Sequence, residues 1–273
     1  MERIKKALEL ARQSRLQEQE TRVQTVDSSA PRLADQQPVD IKGPKIQVSM
    51  EVLEYHRILS GLQDRALMAP YKMLRTQVLQ RMQQSGWTTL AVTGPRENVG
   101  KTLTAVNLAV SLASSSNQAV FLVDLDLRRP SAHTVFGHQP EYGIAEHLMH
   151  SVPMEKVAFS PGVERLTVIP GTRPLEHSSE LLSSPAMKQF VAQLKGRDAN
   201  RLCIFDLPPV LMSDDVLAFS PLVDALLLVV EDGKTTREDL NRSLELIADL
   251  HLIGTVLNKS QDVIKSDYSY QAY

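Results

Sequence analysis

Cysteine is nearly absent from this sequence. Its 273 residues include one, Cys203, set inside an apolar run, so neither a disulfide framework nor a cysteine-built metal site is available. Surplus charge of either sign is missing too. Thirty Lys and Arg against 32 Asp and Glu leave a net charge of -2, whereas a dedicated nucleic-acid binder carries a basic excess, so nucleic acid is not expected as a partner. Long apolar runs are also lacking. The longest, "DALLLVVE" at 224–231, falls far short of the ~20 residues a membrane-spanning helix needs. The opening "MERIKKALELARQSR" is charged throughout, without the apolar centre of a secretory signal. These absences predict a soluble, cytoplasmic chain that meets a membrane only through a partner or a peripheral helix. What is present, 42% hydrophobic and 23% charged residues without an internal repeat, suits one substantial α/β domain with extensions.

Four segments are expected. Residues 1–17 place Ile4, Leu8, Ala11 and Leu16 on one stripe among Lys5, Lys6, Arg12 and Arg15, an amphipathic helix. Residues 18–49 dissolve into Gln, Ser, Asp and three prolines, the composition of a flexible tether. Helical periodicity returns in "EVLEYHRILSGL" and "QDRALMAPYKMLRTQVLQRM", where Pro70 suits the first turn of the second helix. A folded domain then runs over 50–259, and residues 260–273 form a tail. From Thr88 onward, β-rich runs ("TTLAVT", "QAVFLVDLD", "LTVIPG", "RLCIFDLPP", "DALLLVVE", "LIGTVLN") alternate with helical ones. Near-continuous apolar strands between helices predict a mostly parallel central sheet flanked by helices, with ligands beyond the carboxyl ends of its strands.

One such strand runs into "GPRENVGKT". The phosphate loop usually reads G-x-x-x-x-G-K-[ST], but here five residues, Pro95 to Val99, separate Gly94 from Gly100. The setting compensates, because the loop follows a strand and opens a helix whose free N–H groups and positive dipole end attract phosphate. Gly100 permits close approach, Lys101 can reach the outer phosphates of a nucleotide, and the Thr102 hydroxyl can ligate Mg²⁺. Two more strands end in acid. "VFLVDLDLRRP" carries Asp124 and Asp126, which a period of two would send to one face, and "RLCIFDLPPV" ends on Asp206. Carboxylates at the tips of such apolar strands need a partner, and a nucleotide-bound Mg²⁺ supplies one.

Together, "GPRENVGKT", "FLVDLDLRRP" and "CIFDLPPV" resemble the Walker A, A′ and B motifs of bacterial tyrosine kinases, the cytoplasmic type found in polysaccharide-export operons. The likeness spans roughly 66–259 and implies a P-loop NTPase fold of the deviant-Walker type shared with division-positioning and chromosome-partition ATPases. It implies ATP and Mg²⁺ as cofactors, held by Gly94, Arg96, Glu97, Asn98, Val99, Gly100, Lys101, Thr102 and Leu103. It further implies metal ligation by Thr102, Asp124 and Asp206, and catalysis by Lys101, Asp124 and Asp126, with the aspartate that accepts the phenol proton left open. Expected partners are copies of the chain, an inner-membrane activator of the polysaccharide machinery that recruits it peripherally, and a cognate tyrosine phosphatase.

The last six residues, "YSYQAY", hold Tyr268, Tyr270 and Tyr273, half of the chain's tyrosines. The resembling kinases autophosphorylate such a cluster. Counted from Lys259, an extended tail carries Tyr268 about 30 Å and Tyr273 about 46 Å, beyond the ~16 Å radius of gyration of such a domain. A neighbouring subunit is therefore within reach. Two departures argue the other way. The family's E-x-x-R-x-x-R oligomerisation motif falls on Ala69, Lys72 and Arg75, and lysine cannot reproduce the arginine fork, which counts against the usual ring. Arg96 stands where partition ATPases carry a dimer-activating lysine, which keeps a water-hydrolysing positioning ATPase open, as well as a non-catalytic nucleotide-binding regulator.

Overall fold

The computed structural model describes residues 43–61, 65–196 and 200–260, with backbone alone at 65–67. The predicted N-terminal helix, most of the tether and the tail tyrosines Tyr268, Tyr270 and Tyr273 lie outside the described residues. Within them the strands are β1 (Thr89–Thr93), β2 (Ala119–Asp124), β3 (Leu166–Ile169), β4 (Arg201–Asp206), β5 (Ala225–Glu231) and β6 (Leu252–Asn258). The α-helices are α1 (Met50–Tyr55), α2 (Arg65–Ser85), α3 (Lys101–Ser115), α4 (Ile144–His150), α5 (Met154–Val157), α6 (Ser178–Ser183), α7 (Pro185–Lys195), α8 (Asp215–Phe219) and α9 (Arg237–Leu246).

All pairings among these strands are parallel, in the order β3-β2-β4-β1-β5-β6. Apolar side chains of alternating parity feed two cores, one on each face. Leu90, Val92, Val120 and Leu122 pack with α1, α2 and α3, while Ala91, Phe121, Val123 and Phe205 pack with α4 to α8. Burial on both faces explains why the strands read as unbroken apolar runs. Cys203 lies fully buried in β4, and that burial pushes its thiol pKa up to about 12, leaving it chemically inert.

Local chemistry sets the helix limits. Ser184 caps α7 by accepting from the Met187 N–H, Pro185 opens that helix, and Gly196 follows its end. Thr236 caps α9 in the same way through the Asp239 N–H. Two local expectations shift. Helix α2 starts at Arg65, so Pro70 sits inside it rather than in its first turn, on an exposed position. Residues 44–49, read from composition as the end of the tether, lie against the domain. Ser160 N–H donates to the Pro44 carbonyl, Ile46 N–H donates to the Ser160 carbonyl, and Ile46 and Val48 pack on the core.

Among the described residues no helix is long and apolar enough to cross a membrane.

Candidate active site

The strand order puts β4 between β1 and β2, so Asp206 comes level with Val92 on one side and with Asp124 on the other. Three motif ends that are distant in sequence meet at one edge of the sheet, beyond the carboxyl tips of the strands.

The phosphate loop leaves β1 at Gly94, where a Cβ would lie 2.4 Å from the Val229 carbonyl oxygen and 2.6 Å from Val99 Cγ2. Only glycine fits against β5 there. The extra residue is taken up by backbone curvature, since Asn98 and Gly100 both adopt left-handed conformations, φ 60° and 95°. Pro95 and Val99 are buried, while Arg96 and Asn98 face out. Helix α3 begins directly after Gly100, which places Lys101 and Thr102 in its first turn. Leu103 packs against the core.

Lys101 is buried, and its Nζ lies 3.9 Å from Asp126 Oδ2. Strand β2 stops at Asp124, so the pleat does not fix both acids, and the turn that follows places Asp126. Asp124 organises that turn. Its Oδ1 accepts from the Asp126 N–H, and its Oδ2 accepts from the N–H groups of Ser131 and Ala132. Burial raises its pKa, and the Asp206 charge adds to the rise, while the Ala132 and Ser131 N–H groups oppose it. Burial also raises Asp126, against the pull of Lys101.

Asp206 differs from both. It is fully buried, and neither carboxylate oxygen has a hydrogen-bond partner. Burial pushes its pKa up to about 7, although Lys101 and the Thr102 hydroxyl both draw it down, the latter without closing a bond of ordinary geometry. Two orphaned carboxylate oxygens beside a hydroxyl form an all-oxygen donor set that suits a hard divalent cation. No group of three or more His, Cys, Asp or Glu able to hold a metal occurs among the described residues, so a cation here would draw its remaining ligands from a bound phosphate or water.

The A′ turn is fixed from behind by two residues that the motifs do not include, Asp215 and Ser178. Arg128 makes a two-pronged contact with Asp215, Nε to Oδ2 at 3.2 Å and Nη2 to Oδ1 at 3.3 Å, and the Ser178 hydroxyl donates to Asp215 Oδ2 at 2.7 Å. Asp215 is fully buried at the start of α8, and Arg128 is 41% exposed. The only sequence sign was an acidic pair, Asp214-Asp215, ahead of an apolar stretch. The asymmetry of burial gives an expected result. Arg128→Met strands a buried carboxylate and should cost about 3 kcal/mol, whereas Asp215→Asn frees an arginine that can turn to water and should cost about 1 kcal/mol. Guanidinium unfolding of both variants checks this, and equal losses would contradict it.

Arg96 does not project freely. Its guanidinium grips Asp239 on α9 of the same chain, Nε to Oδ2 and Nη2 to Oδ1 both at 2.7 Å. Glu97 pairs with Arg129 of the A′ turn. On the far side of the loop, the Asn258 amide donates to the Val99 carbonyl at 2.8 Å and Lys259 Nζ donates to the Asn98 carbonyl at 2.6 Å. Lys259 also pairs with Glu231 at 3.1 Å, and Lys234 pairs with the same carboxylate at 2.8 Å. Hydrogen bonds from these two lysines hold Glu231 below the usual carboxylate range. Of the weakened oligomerisation motif, Arg75 bonds the Ser115 hydroxyl on α3. A cavity of about 300 Å³ among Pro221, Ala225 and His251 lies at the opposite ends of the strands and has no part in this cluster.

Comparison with known families fits this geometry. The family profile of the CobQ/CobB/MinD/ParA nucleotide binding domain matches residues 90–270. The chain belongs to that family. Several of the chain's sequence relatives are named tyrosine-protein kinases. The tyrosine-protein kinase YwqD of Bacillus subtilis is 29% identical over 202 residues, 73% of this chain and 84% of that one. The tyrosine-protein kinase etk of Escherichia coli K12 is 30% identical over 201 residues, but the match spans only 27% of its length. The solved kinase domain of the Escherichia coli enzyme superposes with a TM-score of 0.64 at 30% identity, covering 74% of this chain and 77% of that one. The succinoglycan biosynthesis transport protein ExoP of Rhizobium meliloti is 31% identical over 177 residues, 63% of this chain and 22% of its own length. The loop with its extra residue therefore belongs to a nucleotide-binding family, and the all-parallel sheet around it is the family's fold.

Proposed function

We propose that the chain is an ATP- and Mg²⁺-dependent tyrosine kinase that phosphorylates its own C-terminal tyrosines, Tyr268, Tyr270 and Tyr273, and so regulates exopolysaccharide synthesis, chain length and export. The observation that carries the reading is Asp206, a buried carboxylate without a partner beside a helix-opening Lys101-Thr102 pair, in a chain whose sequence relatives are tyrosine kinases.

Each residue then has a task. Lys101 binds the outer phosphate oxygens of ATP, and the loop from Gly94 to Gly100 presents backbone N–H groups to them. Thr102 and Asp206 would hold Mg²⁺, which neutralises phosphate charge when bound. The tyrosine oxygen bonds to the γ-phosphorus as the bond to the ADP oxygen breaks, and the phenol proton passes to a carboxylate. Asp126 suits that role better than Asp124, whose oxygens already take three backbone N–H groups. Asp124 instead shapes the turn that sets Asp126 against Lys101.

The sequence argument for a positioning ATPase rested on Arg96 and on the weakened oligomerisation motif, and the two-pronged bond of Arg96 to Asp239 in the same chain speaks against the first of these. The name of the Rhizobium relative, a succinoglycan biosynthesis transport protein, supports a membrane partner in polysaccharide export. A membrane-embedded activator that recruits the chain and a phosphatase that reverses the reaction complete the proposal. A mass-spectrometric map of the recombinant chain supplied with ATP and Mg²⁺ tests the proposal. Phosphate is expected on Tyr268, Tyr270 and Tyr273, and should vanish from the tail when all three are changed to Phe. Inorganic phosphate release without any phosphotyrosine would instead establish the hydrolase, and nucleotide binding with neither product the regulator.

A further inference from the structure

The phosphate loop is held from outside by the end of β6. Lys259 Nζ takes the Asn98 carbonyl, and the Asn258 amide takes the next carbonyl, that of Val99. A trans peptide unit points its C=O and N–H in opposite directions. Fixing these two carbonyls outward therefore fixes the N–H groups of Val99 and Gly100 toward the other side of the loop. Among the described residues neither of those N–H groups has an internal partner. Asn98 and Gly100 are also the two left-handed residues of the loop, the kind of backbone that turns successive N–H groups into an anion cradle.

The clasp is itself braced. Glu231, at the end of β5 and only 6% exposed, holds Lys259 at 3.1 Å. Lys259 adopts a left-handed conformation, φ 60°, that ordinary residues avoid. Gly100 is pressed onto Asn258 so closely that a Cβ there would stand 2.0 Å from its amide nitrogen. Loop and clasp thus fit as one surface, although about 160 residues separate Asn98 from Lys259.

We infer that Lys259, with Asn258 beside it, is a positioning residue for nucleotide phosphate: it acts through the Asn98 and Val99 carbonyls to aim the loop's N–H groups. The inference rests on the proposed nucleotide site and adds to it a determinant outside all three Walker motifs. Lys259 is 44% exposed at the margin of the sheet, so its replacement leaves the fold standing.

Titration calorimetry with MgADP on the full chain, together with the ATP dependence of tyrosine phosphorylation, tests it. Lys259→Met should raise the Kd for MgADP and the KM for ATP about tenfold, the worth of one charge-assisted hydrogen bond. The rate at saturating ATP should stay within about threefold of wild type, and the thermal midpoint should fall by only a few degrees, because Lys234 still pairs with Glu231. Lys259→Arg, which keeps donors for the same carbonyl, should recover affinity to within about threefold. Lys259→Met binding MgADP as tightly as wild type would overturn the inference alone, as would an arginine variant no better than methionine. Wild type that takes up no nucleotide would overturn the proposed function as well.

Discussion

Lys101→Met is expected to lower tail phosphorylation at least about a thousandfold with the fold intact, read as phosphotyrosine formed per minute alongside a thermal melt. Phosphoryl transfer leaves little covalent work to the protein, so a fixed cation aimed at the transferring phosphate carries much of the rate, and loss of one such donor commonly costs a factor of 100 to about 1,000. The proposed second role of Lys101, binding ATP in the ground state, would extend the effect. The stability cost should be smaller than burial suggests. Breaking a buried ion pair usually costs about 3–5 kcal/mol because the survivor stays charged. Here the survivor is Asp126, whose pKa burial already raises, so it can take up a proton instead. A loss of about 1–2 kcal/mol is expected. Phosphorylation within tenfold of wild type would mean that Lys101 is not the phosphate ligand.

Asp206→Asn should separate stability from function in the opposite direction. In the unfolded chain this carboxyl ionises near 3.8, and in the folded protein near 7. Between those values the folded state holds the proton more tightly, so stability is greatest at the acidic end and falls as pH rises toward 7. Above that, the metal-free protein carries a buried charge without a partner. Replacement by asparagine removes the charge, so the metal-free variant should melt several degrees above wild type at pH 8, from about 1–3 kcal/mol of relieved desolvation. The difference should shrink toward pH 5. With Mg²⁺ and nucleotide the order should invert if Asp206 is the anionic metal ligand proposed above, and the variant's phosphorylation rate should fall at least about a hundredfold. A variant that is less stable than wild type at pH 8 without metal would show that Asp206 is already satisfied in the free protein.

Local chemistry made much of the molecule legible beforehand. The six apolar runs after Thr88 became the six strands described, and the helix expected at Lys101 opens there. Strand-to-loop-to-helix order is a near-neighbour property, written in periodicity and in glycine placement. Shorter-range errors came where a turn displaced a strand. Asp126 was expected on the pleat with Asp124, but β2 had already ended, and three backbone donors now occupy Asp124. Composition misread residues 44–49 because two apolar side chains, Ile46 and Val48, and the backbone groups of Pro44 and Ile46 are enough to dock a short segment on a core and loop distant in sequence.

By itself the sequence determined the parallel α/β class, the phosphate loop at Gly94 to Thr102 and the acidic strand tips, since each is set by residues within a few positions of one another. The order β3-β2-β4-β1-β5-β6 was decided only by tertiary structure, and with it the neighbours of the site. Arg128 finds Asp215, Arg96 finds Asp239 and Lys259 finds Asn98 across separations of 87 to 161 residues. No local pattern encodes such pairs. They form because closing the two apolar cores brings those strand ends together, and a charge enclosed there must find its partner among whatever the packing delivers.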